Sequence, residues 1–103
     1  MARRLSITRV VVRPDRLRHY LDASELYRTA AERAGGHFWL FADDSAANTY
    51  FEFREASDAE RLAAIETAAR EIDPDGAGVL RNCCATRDAV AICREVPSEA
   101  ARP

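Results

Sequence analysis

Apolar positions along the chain change their period several times, and each change marks an element. Leu5 to Arg13 carries the β-branched run Val10-Val11-Val12, which predicts a strand able to be buried on both faces. Pro14 ends it and suits the first turn of a helix. From Asp15 to Ala34, Leu17, Tyr20, Leu21, Tyr27, Ala31 and Ala34 recur at spacings of three and four, the period of a helix, and Gly35-Gly36 stops it. Two strands follow, Gly36 to Ala42 and Ala47 to Arg54, joined by the turn residues Asp43-Asp44-Ser45-Ala46. Ser57-Asp58-Ala59-Glu60 has the form of a capping box opening a second helix. That helix carries Leu62, Ile65, Ala69 and Ile72 on one stripe and is broken by Asp73-Pro74-Asp75-Gly76. Val79 to Cys84 and Ala89 to Val96 read as two short strands around Thr86-Arg87-Asp88, and 97–103 as a frayed tail.

The order is β-α-β-β-α-β in one domain spanning 1–103, with a core from about residue 5 to 96. It matches a ferredoxin-like α+β unit: an antiparallel sheet with two helices on one face. Side chains alternate across a strand. If Phe41 pairs with Asn48, then Trp39 lies opposite Tyr50, His37 opposite Glu52 and Phe38 opposite Phe51. Phe38, Leu40, Phe51 and Phe53 then form the bed for the helices. The other face carries His37, Trp39, Phe41, Asn48, Tyr50, Glu52 and Arg54. That face is too aromatic for water and too polar for an ordinary core. A second sheet laid over it would enclose a cavity of mixed polarity, the setting of a small-molecule site.

Composition narrows the partners. Hydrophobic residues make up 48% of the chain, but about twenty of them are Ala, so the larger apolar side chains in these few segments must carry the core. A domain this short gains from a partner subunit. The formal charge is −2, every basic residue is Arg, and Arg alternates with acidic residues instead of clustering, which argues against nucleic-acid binding. No stretch approaches the length of a membrane span, and the basic start has no apolar run behind it. Cys83, Cys84 and Cys93 are an odd number with an adjacent pair and no CxxC spacing, pointing to reduced thiols in a cytoplasmic setting, not to disulfides or zinc.

The strand, the long helix ending in Gly35-Gly36, the aromatic strand His37-Phe38-Trp39-Leu40-Phe41 and the strand Asn48-Thr49-Tyr50-Phe51-Glu52-Phe53 leading into a capped helix resemble the dimeric α+β barrel superfamily, which includes the antibiotic-biosynthesis-type monooxygenases. The resemblance covers Leu5 to Ile72. It implies a homodimer with sheets face to face, and a cleft in which several oxygenases use an Asn, a Trp and a His or Tyr; Asn48, Trp39, His37 and Tyr50 are of those types. The haem degraders carry their Asn on the first strand and their His on the second helix, and this chain has neither.

The resulting expectation is a small-molecule-handling homodimer acting without a cofactor or metal as a monooxygenase on an aromatic or quinol-like compound. Trp39 and Phe41 hold the ring, with Arg54 beside them; Asn48 and Tyr50 bond the substrate oxygen; His37, oriented by Glu52, takes a proton. Plainer readings stand beside each role. Trp39 and Tyr50 pack on each other and a partner, His37 and Glu52 form a cross-strand polar pair, and Cys83-Cys84 are inert buried thiols. Two other functions use the same face: a ligand-binding or sensing module without catalysis, and a structural dimerisation domain.

Overall fold

A computed structural model describes residues 2–72 and 82–96. Its elements are β1 (Arg4–Val12), a 3-10 turn (Pro14–Arg16), α1 (Leu17–Arg33), β2 (His37–Ala42), β3 (Thr49–Ala56), α2 (Ala59–Ile72) and β4 (Cys84–Arg94). The four strands form one antiparallel sheet in the order β2-β3-β1-β4, and both helices lie on one face of it. This is the ferredoxin-like α+β arrangement that the pattern of the chain predicts. The break at Asp73-Pro74-Asp75-Gly76, the start of the strand expected at Val79, and the tail 97–103 lie outside the described residues.

The core follows the helical spacing. Tyr20, Ala23, Tyr27 and Ala31 of α1 are buried, and they form one core with Val10, Val12, Phe38 and Ala56 from the sheet and Ile65 from α2. Burying a side chain of the size of Val10 or Phe38 contributes roughly 1.5–3 kcal/mol. Gly36, between α1 and β2, sits where a Cβ would collide with the Glu55 carbonyl oxygen and the Ile65 side chain, so only glycine lets β2 approach β3 and α2 this closely.

Three local expectations change. The cap of α2 is Asp58, not Ser57: Asp58 Oδ1 accepts from the Arg61 amide at 2.8 Å. The helix thus starts one residue later than the Ser57–Glu60 box implies, and Asp caps as well as Ser. Thr86-Arg87-Asp88 is no turn. Cys84–Arg94 is one strand paired along β1, with one register shift in mid-strand, at Ile7/Thr8, and one at its start, at Val11/Val12.

The third change is the largest. Phe41 lies opposite Phe51, Trp39 opposite Phe53, Phe38 opposite Arg54 and His37 opposite Glu55. The connection between β2 and β3 is longer than the four turn residues: Asn48 belongs to it, in a left-handed conformation (φ 57°), and its carbonyl accepts from the Val12 amide at 2.8 Å. Relative to the pairing of Phe41 with Asn48, β3 is displaced by three residues. An odd displacement turns every side chain of a strand to the other face. Tyr50, Glu52 and Arg54 therefore face the helices, and Phe51 and Phe53 face away from them.

Candidate functional site

Beneath the helices, Glu52 is 0% exposed and both its carboxylate oxygens are used. Tyr20 donates its hydroxyl to Oε2 at 2.6 Å; Arg87 donates to Oε2 and Oε1 at 2.8 and 2.9 Å in a two-pronged contact; Arg54 donates to Oε1 at 3.0 Å. Burial pushes the Glu52 carboxyl up, but the Arg87 hydrogen bonds and the charges of Arg54 and Arg87 outweigh it and hold the group below the ordinary carboxylate range. The Tyr20 phenol is driven strongly upward by burial and by the adjacent Glu52 charge, so it stays protonated and donates. Arg54 also stacks over the Phe38 ring, 5.0 Å from its centroid. A fully bonded carboxylate of this kind holds helix to sheet; its lone pairs are committed.

Among the described residues, no helix lies on the opposite face. Successive rows across the sheet there read His37–Glu55–Leu5–Cys93, Trp39–Phe53–Ile7–Ala91 and Phe41–Phe51–Arg9–Asp88. Phe41 is 56% and Trp39 41% exposed. The Phe41 and Phe53 rings meet edge to face at 5.3 Å between centroids, and the His37 imidazole stacks on the Trp39 indole at 5.1 Å and 7°. His37 Nδ1 is 2.7 Å from Glu55 Oε2, and Arg3 donates to Glu55 Oε1 at 2.9 Å. Burial raises the Glu55 carboxyl, but the bonds from Arg3 and His37 outweigh that and leave it lowered. When Nδ1–H donates to Glu55, Nε2 is the ring nitrogen left to accept, and the His37 side chain is 54% exposed. An open cavity of about 400 Å³ adjoins this corner, with Arg3, Leu5, Trp39, Glu55 and Cys93 in its wall. A second, of about 630 Å³, runs between α1 and the edge of β2, against Leu21, Ser24, Phe38 and Trp39.

The seven residues singled out in the sequence thus divide. His37, Trp39 and Phe41 share the helix-free face; Tyr50, Glu52 and Arg54 lie beneath the helices, with Tyr50 tilted against Tyr20 at 6.0 Å; Asn48 is exposed in the β2–β3 connection. Glu52 does not orient His37: Glu55 does. Trp39 does not meet Tyr50 across the ladder: Phe53 stands there. Sequence reasoning missed Glu55, Arg3, Arg87 and Tyr20. The alternation of β3 puts Glu55 on the face of Phe51 and Phe53, so only the register hid it. Cys83 and Cys84 are buried with thiols pushed up by burial, while Cys93 is exposed. Among the described residues no helix is long and apolar enough to cross a membrane.

No protein-family model and no curated protein matches the chain. Solved structures do. A candidate antibiotic biosynthesis monooxygenase from Nitrosomonas europaea superposes with a TM-score of 0.76 at 14% identity, covering 93% of this chain and 92% of that one. A second candidate antibiotic biosynthesis monooxygenase, from Bordetella bronchiseptica, gives 0.68 at 16% identity, covering 94% and 98%. The chain has the fold of these solved structures. A NIPSNAP family protein from Agrobacterium tumefaciens shares this fold with a TM-score of 0.66 at 12% identity, covering 97% and 91%. At such identities the likeness is one of fold, and one fold hosts several activities. Chemistry has to be argued from the side chains.

Proposed function

We propose that the chain is a homodimeric small-molecule barrel, its helix-free sheet face covered by a second copy, that oxidises an aromatic or quinol-like compound in the enclosed space without a bound cofactor. The observation that carries this reading is the His37–Glu55 contact, 2.7 Å long, at the rim of an aromatic sheet face. Trp39 and Phe41 hold the ring by stacking. His37 Nε2 takes the phenolic proton, and Glu55, backed by Arg3, stabilises the imidazolium that forms. The electron-rich phenolate then reduces O2: one oxygen atom enters the ring, the other leaves as water with two substrate hydrogens, and the quinol becomes a hydroxyquinone. Tyr50, Glu52, Arg54 and Asn48 have no part in this scheme, because they lie off this face. Two buried thiols and one exposed thiol suit a reducing, cytoplasmic setting.

Oxygen consumption with a naphthohydroquinone tests the reading. The expected result is uptake matched by hydroxyquinone formation, falling about 100-fold in His37→Ala. Turnover unchanged in His37→Ala contradicts it. Saturable binding without oxygen uptake points instead to a ligand-binding module on the same face.

A further inference from the structure

On the helix-covered face, among the described residues, Arg4, Arg54, Arg87 and Arg94 stand against the carboxylates of Glu52 and Glu66. Arg54 and Arg87 share Glu52, while Glu66 Oε1 lies 3.6 Å from Arg54 Nε, beyond hydrogen-bond reach, and its side chain is 46% exposed. Arg4 projects from the same face, since it pairs with Ala56 two residues beyond Arg54.

Among the described residues, three polar atoms of this face are buried and make no hydrogen bond: Arg4 Nε, Ser6 Oγ and Arg54 Nε. They are neighbours. Ser6 lies directly opposite Arg54 in the β1–β3 ladder, and Arg4 is the next residue of β1 on that face. Nor can Arg54 turn to water. Its side chain is 7% exposed, a terminal nitrogen is fixed on Glu52 and its guanidinium is stacked on Phe38. Buried donors without a partner are rare in native folds, and three in one patch call for a missing acceptor. A guanidinium can only donate, and a serine hydroxyl donates equally well, so the complementary group is rich in lone pairs and negatively charged. Ile92, opposite Ser6 on the other side of β1, is 77% exposed, so the face opens to solvent beside this patch.

We propose that Ser6, Arg54 and Arg4 form a binding site for the oxyanion group, carboxylate or phosphate, of a small acidic ligand. The anion accepts from the Ser6 hydroxyl and from the two Nε–H groups and neutralises the excess guanidinium charge. The site lies on the opposite side of the sheet from His37 and Glu55, and it stands whether or not the oxidation proposed above occurs.

Thermal unfolding and calorimetric titration of the full chain with inorganic phosphate and, separately, benzoate test it, with chloride holding ionic strength constant. The expected result is a saturable rise in Tm with one of the two anions, and affinity roughly tenfold weaker in Ser6→Ala and in Arg4→Gln. A response to phosphate alone assigns a phosphate-bearing ligand; a response to benzoate alone assigns a carboxylate. The proposal is overturned if neither anion gives a saturable shift. It is equally overturned if the shift is the same size in Ser6→Ala and Arg4→Gln, which would assign the patch to water. Arg54 is left unchanged in these variants because it also bonds Glu52.

Discussion

On the helix-covered face of the sheet, Glu52 is inaccessible to solvent and takes four hydrogen bonds; on the other face, Phe41 is more than half exposed. On β3 the polar positions Glu52 and Arg54 are inside and Phe51 and Phe53 face away from the helices, the reverse of the usual alternation of a half-buried strand. The two faces answer to different costs. A buried carboxylate survives only when its lone pairs and charge are matched, which Tyr20, Arg54 and Arg87 do. A contiguous aromatic surface survives in solution only when something covers it. The Glu52 network is therefore satisfied within one chain, whereas the aromatic rings of the other face are left open to solvent.

Perturbing each face separates the two. The largest effect is expected at Glu52. Glu52→Gln removes the buried charge that Arg54 and Arg87 share and should lower the stability of the fold by about 3–5 kcal/mol in urea denaturation. A loss below about 1 kcal/mol would mean that the network is not what joins helix to sheet. Phe53→Glu on the other face should leave the chain folded by circular dichroism but weaken self-association by about 2 kcal/mol or more, roughly 30-fold, in sedimentation velocity. If that substitution unfolds the chain instead, the contrast between the faces collapses. Gly36→Ala tests the close approach of β2 to β3 and α2. Overpacking there should reduce stability by about 1–3 kcal/mol in the same urea assay.

Acid sharpens the picture further. Glu52 and Glu55 are both held below their ordinary range in the fold. A carboxyl lowered on folding contributes stability that is fully present above its unfolded value, about 4, and is lost as pH falls through the folded value. Stability measured between pH 6 and pH 2 should therefore fall below about pH 4. The slope should be shallower in Glu52→Gln, and an equal slope would show that Glu52 titrates alike in both states. The smallest effect is at Asn48. Because its φ is positive, Asn48→Ala should lose about 1 kcal/mol and Asn48→Gly almost nothing.

Much of this was legible in the chain. The spacing of Leu17, Tyr20, Tyr27 and Ala31, the stop at Gly35-Gly36 and the valine run marked the elements and their order, because each signal is local. The faces of β3 were not legible. They depend on how many residues the β2–β3 connection takes, and Asn48 adopts a left-handed conformation that lengthens it. Phe51 and Phe53 looked like core positions by hydrophobicity alone. Nothing local shows that Glu52 and Arg54 are wanted inside to meet Tyr20 and Arg87, residues far apart in sequence. Arg87 was hidden because Thr86-Arg87-Asp88 has turn-like composition, and pairing with β1 overrides it. The His37–Glu55 contact was lost with the register, although a His–carboxylate pair on the Trp39 face was anticipated.

Trp39 is the only tryptophan in the chain and stands on the uncovered face, so it reports directly on whether a second copy covers that face. The decisive measurement is native mass spectrometry of the full chain across a dilution series, with tryptophan emission recorded on the same samples. A dimer is expected at micromolar concentration, and on dilution a monomer whose emission shifts to the red as Trp39 enters water. A monomer at every concentration, with constant emission, would contradict it.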